Sequence, residues 1–372
     1  MMKMKRNPGK AFKLLLTVLL LIAWQLNAQT FNEKERIERV FGVKPTTTIE
    51  VNNKYGRVEI KPWEKDSVKF VIDFSIGSSS LSRLQKMRSS INFNFNSSNY
   101  YITATTDFGN SGNQILTEIQ GLSDALVPGK NSINIHYTVY CPEAVNITII
   151  NKFGDVYIDD LRGNVKISLA NGDMKINSIS GEAQIDLSFG TGMIGHLADG
   201  IIAASYSDLS LKSAEKLQIT SKSSTLNLGE ADLIRMDSRR DKLYFGKIGE
   251  LHGTTNFSQL WIEELDCLLA MSMQFGNLSV DKISRNFCDI NLNSEFTDIN
   301  LGINEGTPYN LAISHHRDAF ISVPENPAGT ERSTDNALEF MSVQRGNSKD
   351  ASPITIKAVQ KCYVNLREKP MH

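Results

Sequence analysis

Tyr244 and Trp261 stand 17 residues apart in a chain of 372, and they are the large amphipathic side chains best suited to contact a ligand. Each ring loses little conformational freedom on meeting a partner, which favours a sugar or protein contact surface. Other reactive side chains are scattered. His136, His196, His252, His315, His316 and His372 share no metal-ligand spacing, and the adjacent pair His315-His316 would point to opposite sides of an extended strand. Asp159-Asp160, Glu263-Glu264 and Asp298 are acids at turns or on the surface; sugar cleavage needs two carboxyls facing one cleft. No Gly-x-Ser-x-Gly elbow or hydrolase constellation is present. Catalytic residues, metal ligands and cofactor-binding residues are therefore all assigned as none. Arg235, Arg239, Arg240 and Lys242 alternate with Asp232, Asp237 and Asp241, which reads as local pairing on a solvated face. Arg240 is expected to reach water or Asp241.

The elements that must position these residues follow from a repeated phrase. It begins at Phe153-Gly154, Asn171-Gly172, Phe189-Gly190, Tyr206-Ser207, Ser223-Ser224, Arg240-Asp241, Phe257-Ser258, Phe275-Gly276 and Phe296-Thr297, at intervals of 18, 18, 17, 17, 17, 17, 18 and 21 residues. Apolar residues alternate with polar ones after each anchor, as in Leu243 and Phe245 or Leu260 and Ile262. Period 2 means strands with one buried face. One period carries too little core to fold alone, so each must stack on the next. The expected fold is all-β, a single-stranded β-helix (β-solenoid) of short 17–18 residue coils with β-rich terminal caps. The position four after each anchor faces outward, which places Tyr244 beside Trp261. The anchor rings Phe153, Phe189, Tyr206, Phe257, Phe275 and Phe296 are expected to stack and fill a corner. The glycines that follow, Gly154, Gly190 and Gly276 among them, read as turn residues with φ above zero.

Lys3, Lys5, Arg6, Lys10 and Lys13 precede an apolar run from Leu14 to Ala23 and then Leu26-Asn27-Ala28. This order predicts a signal peptide over residues 1–28. Its apolar run is shorter than the roughly 20 residues a spanning helix needs, so no integral membrane segment is expected after cleavage. Removing it takes five of 40 basic residues and none of 41 acidic ones, leaving 35 − 41 = −6. That balance argues against nucleic acid. The four cysteines do not form a disulfide scaffold. Cys267 and Cys288 lie in adjacent periods, and either a bridge between them or separate small core residues is compatible with the spacing.

A leader, 29–44, is charged and reads as a short helix or a mobile segment. Residues 45–143 read as a β-rich capping domain, with one short helix following Ser78-Ser79-Ser80; 144–304 hold the repeats, and 305–372 form a C-terminal β cap. A mutually capped monomer is expected, with end-to-end association through an incomplete cap as the alternative.

Asn151-Lys152-Phe153-Gly154-Asp155-Val156, Ser205-Tyr206-Ser207-Asp208-Leu209 and the leading Asn52-Asn53-Lys54-Tyr55-Gly56-Arg57-Val58 resemble the bacterial putative-adhesin family of unknown function, related to the auto-transporter adhesin head GIN domain. The similarity covers roughly residues 45–367. It implies an exported, right-handed β-helix and no residue-specific chemistry. The function expected is that of an exported, noncatalytic adhesin-like or envelope structural protein, in the periplasm or on the outer cell surface, binding an unknown envelope protein or polysaccharide without a cofactor. The alternative is a β-helix polysaccharide lyase or glycoside hydrolase, which would need a deep lateral groove. No C-terminal barrel of spanning strands is evident, so self-translocation is not expected.

Overall fold

The computed structural model describes residues 30–109, 131–324, 330–335, 338–347 and 350–369, with side chains undescribed at 131 and 330–335; the predicted signal peptide lies outside them. Among the described residues the protein is all-β with one helix, and its strands join one large sheet. No described helix is long and apolar enough to cross a membrane.

The chain divides into two compact units. Of the described residues, the first comprises 30–36, 73–92, 107–109 and 131–134. It contains the helix Leu81–Ser90, whose first turn is capped by the Ser80 hydroxyl accepting from the Arg83 amide. Leu84 and Met87 turn inward, one helical turn apart. Arg88 binds Glu33 and Glu35 at 3.3 and 2.6 Å, and its guanidinium lies over the Phe74 ring. Glu33 and Glu35 belong to the strand Phe31–Gly42. The expected leader helix or mobile segment is thus corrected to a strand: good helix formers line it, but its alternation of half-buried and exposed positions satisfies one-sided packing.

The second unit comprises the described residues among 37–72, 93–106 and 135–369. Its centre is a run of parallel strands in which Met174–Ser188, Thr191–Ser205, Asp208–Lys222, Thr225–Arg239, Lys242–Asn256, Gln259–Ile283 and Asp289–Asn304 each pair with the next. Registers such as Leu209↔Leu226 and Leu226↔Leu243 place equivalent aliphatics above one another, all buried. Where Gly192 interrupts the aliphatic row, Leu209, Leu187 and Met174 occupy the space that a side chain would enter.

The turn at each anchor departs from expectation in an instructive way. Positive φ falls on the anchor itself, from Phe153 at 58° and Phe189 at 56° to Phe257 at 56° and Phe296 at 48°, and not on the following glycine. Gly154, Gly172 and Gly190 serve close approach instead. A Cβ on Gly172 would sit 2.1 Å from the Gly154 carbonyl oxygen, and one on Gly190 would sit 2.0 Å from that of Gly172. From Tyr206 onward the interval shortens and the same position carries Ser207, Ser224, Asp241 and Ser258, all buried. There, side chains catch the backbone: the Ser207 amide donates to Ser224 Oγ, the Ser224 amide to Asp241 Oδ1 and the Asp241 amide to Ser258 Oγ. Asp241 also accepts from Ser221 Oγ, Ser238 Oγ and the Arg239 amide, at 2.6 to 3.0 Å. Its carboxylate therefore turns inward, and the expected surface pairing with Arg240 is replaced by neutral donors.

Sequence order and spatial order separate at both termini of this unit. Thr48–Lys54 pairs with Asn146–Lys152 on one side and with Tyr101–Phe108 on the other. At the other terminus, Ser352–Ala358 and Tyr363–Lys369 pair with Asp289–Asn304, while Tyr309–His316 and Phe320–Ser322 pair onto that later segment. Tyr309–His316 in turn pairs antiparallel with Leu338–Arg345. The longest interval, between Phe275 and Phe296, accommodates the buried Phe287 and a Cys267–Cys288 disulfide. Of the two readings left open for these cysteines, the bridge is the one observed.

Candidate functional site

Tyr244 is carried between the buried Leu243 and Phe245, and Trp261 between the buried Leu260 and Ile262. With both flanking aliphatics inside, strand alternation sends each ring outward. Tyr244 and Trp261 are direct partners in a parallel register, and their rings stack with centroids 4.7 Å apart and planes 5° from parallel. Each ring thus covers one face of the other.

The stack is only two rings deep. Asn227 pairs opposite Tyr244, and Ser279 occupies the equivalent position beyond Trp261, followed by its partner Asn300. These small polar residues leave a recess of about 680 Å³ running past Ser210, Asn227, Tyr244, Trp261 and Ser279. Two glycines form its bare margin. A Cβ on Gly246 would meet the Gly229 carbonyl oxygen at 2.3 Å, and one on Gly229 would meet that of Lys212 at 2.4 Å. The bend therefore excludes side chains and keeps the floor low. A second recess of about 310 Å³ begins at Trp261 and continues past Ser279 and Asn300 to Arg367 and Lys369. Lys369 pairs with Asp281 at 3.6 Å.

Aromatic faces bordered by amides, hydroxyls and charges suit recognition of a partly polar, partly apolar ligand. Glu263 and Asp281 border the larger recess from equivalent positions of successive segments. They share one margin, whereas acid and base roles in glycoside cleavage require carboxyls on opposite sides of the bond. Among the described residues no group of three His, Cys, Asp or Glu side chains could hold a metal. His136 accepts from the Arg57 amide, His196 contacts Ser213 and His316 lies beside Asp318; these three histidines are widely separated in sequence.

The anchor rings form a different surface. Phe189 stacks on Tyr206 at 5.1 Å, Phe257 on Phe275 at 4.8 Å, Phe275 on Phe296 at 5.1 Å and Tyr55 on Phe153 at 5.5 Å. Stacking agrees with the common offset, but the rings do not fill an interior corner: Phe153, Phe189, Tyr206, Phe257, Phe275 and Phe296 remain 41–58% exposed, and Tyr55 is half-buried. The left-handed backbone at each anchor accompanies this outward placement. The Lys222 ammonium lies 5.8 Å from the Tyr206 ring centroid. Gaps in the column fall at Asn171, Ser223 and Arg240, which share the same backbone conformation.

Arg367 and Lys369 were not legible as site residues, because they reach this face through the displaced pairing of Tyr363–Lys369 with 298–304. A faint signal exists: Val364-Asn365-Leu366 echoes Ile299-Asn300-Leu301, and the two triplets are register partners.

No family model and no curated protein matches the chain. It is similar in structure to a putative adhesin from Bacteroides fragilis at 13% identity and TM-score 0.30, covering 73% of this chain and 98% of that one. A putative adhesin from Parabacteroides merdae matches at 9% identity and TM-score 0.30, covering 72% and 95%. A putative lipid binding protein from Parabacteroides distasonis matches at 9% identity and TM-score 0.27, covering 90% and 97%.

Proposed function

We propose that this is an exported, noncatalytic adhesin-like or envelope structural protein that binds polysaccharide or protein through a repetitive β surface, in the periplasm or at the outer cell surface. In this reading the parallel strands wind as a right-handed β-solenoid. Residues 45–143 and 305–372 cap its ends, and the chain is a member of the putative-adhesin family related to the GIN domain. The interval of 17 or 18 residues between register partners, with aliphatics buried and short polar turns between them, supports that winding.

The observation that carries the functional reading is the Tyr244–Trp261 stack set into a recess with small residues on both sides. Two exposed aromatics on a sheet also stabilise one another. The bare glycine margin and the amide and hydroxyl neighbours provide the additional features expected of a contact site. A sugar ring offers one apolar C–H face and a rim of hydroxyls, which matches an aromatic plane flanked by Asn227, Ser279 and Asn300.

The test compares the mature protein with the Tyr244→Ala/Trp261→Ala variant for retention on a panel of soluble glycans and on envelope fractions. Retention by the native protein and its loss in the variant, with the thermal transition preserved, is the expected result. Equal retention by both proteins would remove this surface as the contact site.

A further inference from the structure

From the order of groups beyond Trp261, we propose that the site takes an acidic glycan, a chain of carboxylated sugars lying across successive strands with its carboxylate at Arg367. This deepens the preceding proposal and rests on its reading of the aromatic pair as a sugar contact.

Starting from the side of Trp261 not stacked on Tyr244, the smaller recess is bordered by the Ser279 hydroxyl, the Asn300 amide and then Arg367 and Lys369. Asn300 pairs with Asn365, and Gly302 pairs with Arg367. With the Asn365 amide oriented so that its oxygen faces Arg367, that oxygen accepts from Nε at 2.6 Å and Nη2 at 2.8 Å and lies 3.1 Å from the Asn300 side chain. Those contacts hold the guanidinium against the amide row while Arg367 remains exposed. Gly302, its partner, adds no side chain beside it; a Cβ there would meet the Asp281 carbonyl oxygen at 2.2 Å.

The charges at this margin differ in availability. Lys369 and Asp281 pair with one another, whereas Arg367 has no carboxylate partner among the described residues. An anion entering the recess therefore meets one uncompensated, anchored guanidinium, a group suited to planar carboxylate recognition. Trp261 and Arg367 lie about three strand spacings apart, or roughly 14 Å. A ligand engaging both must extend over more than one sugar ring, with its hydroxyls passing Ser279 and Asn300. A neutral glycan would leave the guanidinium unused, and a simple polyanion would leave the aromatic face unused.

The experiment measures binding of the full mature chain to oligogalacturonate, oligomannuronate and oligoguluronate, to their methyl esters, and to poly-aspartate. Native protein should bind at least one free acid about tenfold more tightly than its ester, a difference expected for one charge-assisted contact, and the preference should shrink with added salt. Arg367→Gln should equalise acid and ester while retaining the weaker binding to both, and Arg367→Lys should restore part of the preference. Trp261→Ala should reduce acid and ester alike. Native protein that binds no acid, binds acid and ester equally, or binds poly-aspartate as tightly as the uronate overturns the acidic-glycan proposal. So does a preference unchanged by Arg367→Gln. If neutral glycans still bind and Trp261→Ala abolishes that binding, the broader reading survives; glycan binding unaffected by Trp261→Ala overturns both.

Discussion

Two sets of stacked, outward-facing aromatic rings occupy the second unit, and they differ in what holds them in place. The anchor column sits on left-handed backbone, from Phe153 to Phe296, a conformation that costs a bulky residue about 1–2 kcal/mol. Its rings recover part of that cost from each other, about 0.5–1.5 kcal/mol per aromatic pair. Tyr244 and Trp261 stand on ordinary strand positions and stack only once, between Asn227 and Ser279. The column is thus tied to the turn of the backbone, whereas the pair interrupts a row of small polar residues without serving any turn. Exposure alone does not separate the column from the proposed contact pair; the backbone conformation beneath them does.

That distinction is tested most severely at the turns under the column. Gly172→Ala should destabilise the protein by about 3 kcal/mol or more, because the added methyl would lie 2.1 Å from the Gly154 carbonyl oxygen, a backbone atom and not the end of a flexible side chain. The measurement is the shift in urea midpoint, and a shift near zero would show that the turns are not in van der Waals contact. Asp241→Ala should cost about 2–3 kcal/mol by stranding several buried donors, while Asp241→Asn should recover part of the loss.

Changes to the rings themselves should be smaller. Phe275→Ala removes stacking on both Phe257 and Phe296 and should cost about 1–3 kcal/mol. Arg240→Phe, which fills a gap beside Phe257, should stabilise by about 0.5–1.5 kcal/mol. If Phe275→Ala were instead neutral in stability and abolished glycan retention, the roles assigned to the two aromatic sets would be exchanged.

The smallest effect near neutral pH comes from the buried Cys141, whose strand pairs with Val58–Pro62. Burial pushes the Cys141 thiol from 9.0 up to about 12. The folded state therefore holds this proton more tightly than the unfolded state. Its contribution should be fully present below about pH 9 and lost as pH rises towards 12. A Cys141→Ala variant measured from pH 8 to 11 should show a shallower alkaline decline than the native protein.

Much of this arrangement was readable because an aliphatic recurs at every second residue and the phrase returns every 17 or 18. Those regularities identify the parallel registers and place Tyr244 beside Trp261. They do not reveal which residue of a Phe-Gly turn takes positive φ, since a glycine is equally compatible with a left-handed bend and with a neighbouring carbonyl pressed against its Cα. The strand Phe31–Gly42 was obscured by Glu and Lys, whose helical preference is overridden by packing. The anchor offsets of Cys267 and Cys288 differ because extra residues around Phe287 lengthen that interval. Arg367 was concealed by topology, because its spatial neighbour Gly302 lies 65 residues earlier.

The displaced C-terminal pairing has a consequence for how the protein assembles. Residues 352–369 lie between Asp289–Asn304 and the earlier-synthesised 309–322, so the earlier segment cannot reach its final pairing until the later one is available. Closure of that terminus must await nearly the whole polypeptide and spans long loops, a slow, high-contact-order step. Until then Asp289–Asn304 presents an open template to foreign strands. A proposed ligand grip that includes Arg367 would mature with this last closure, linking recognition to completion of folding.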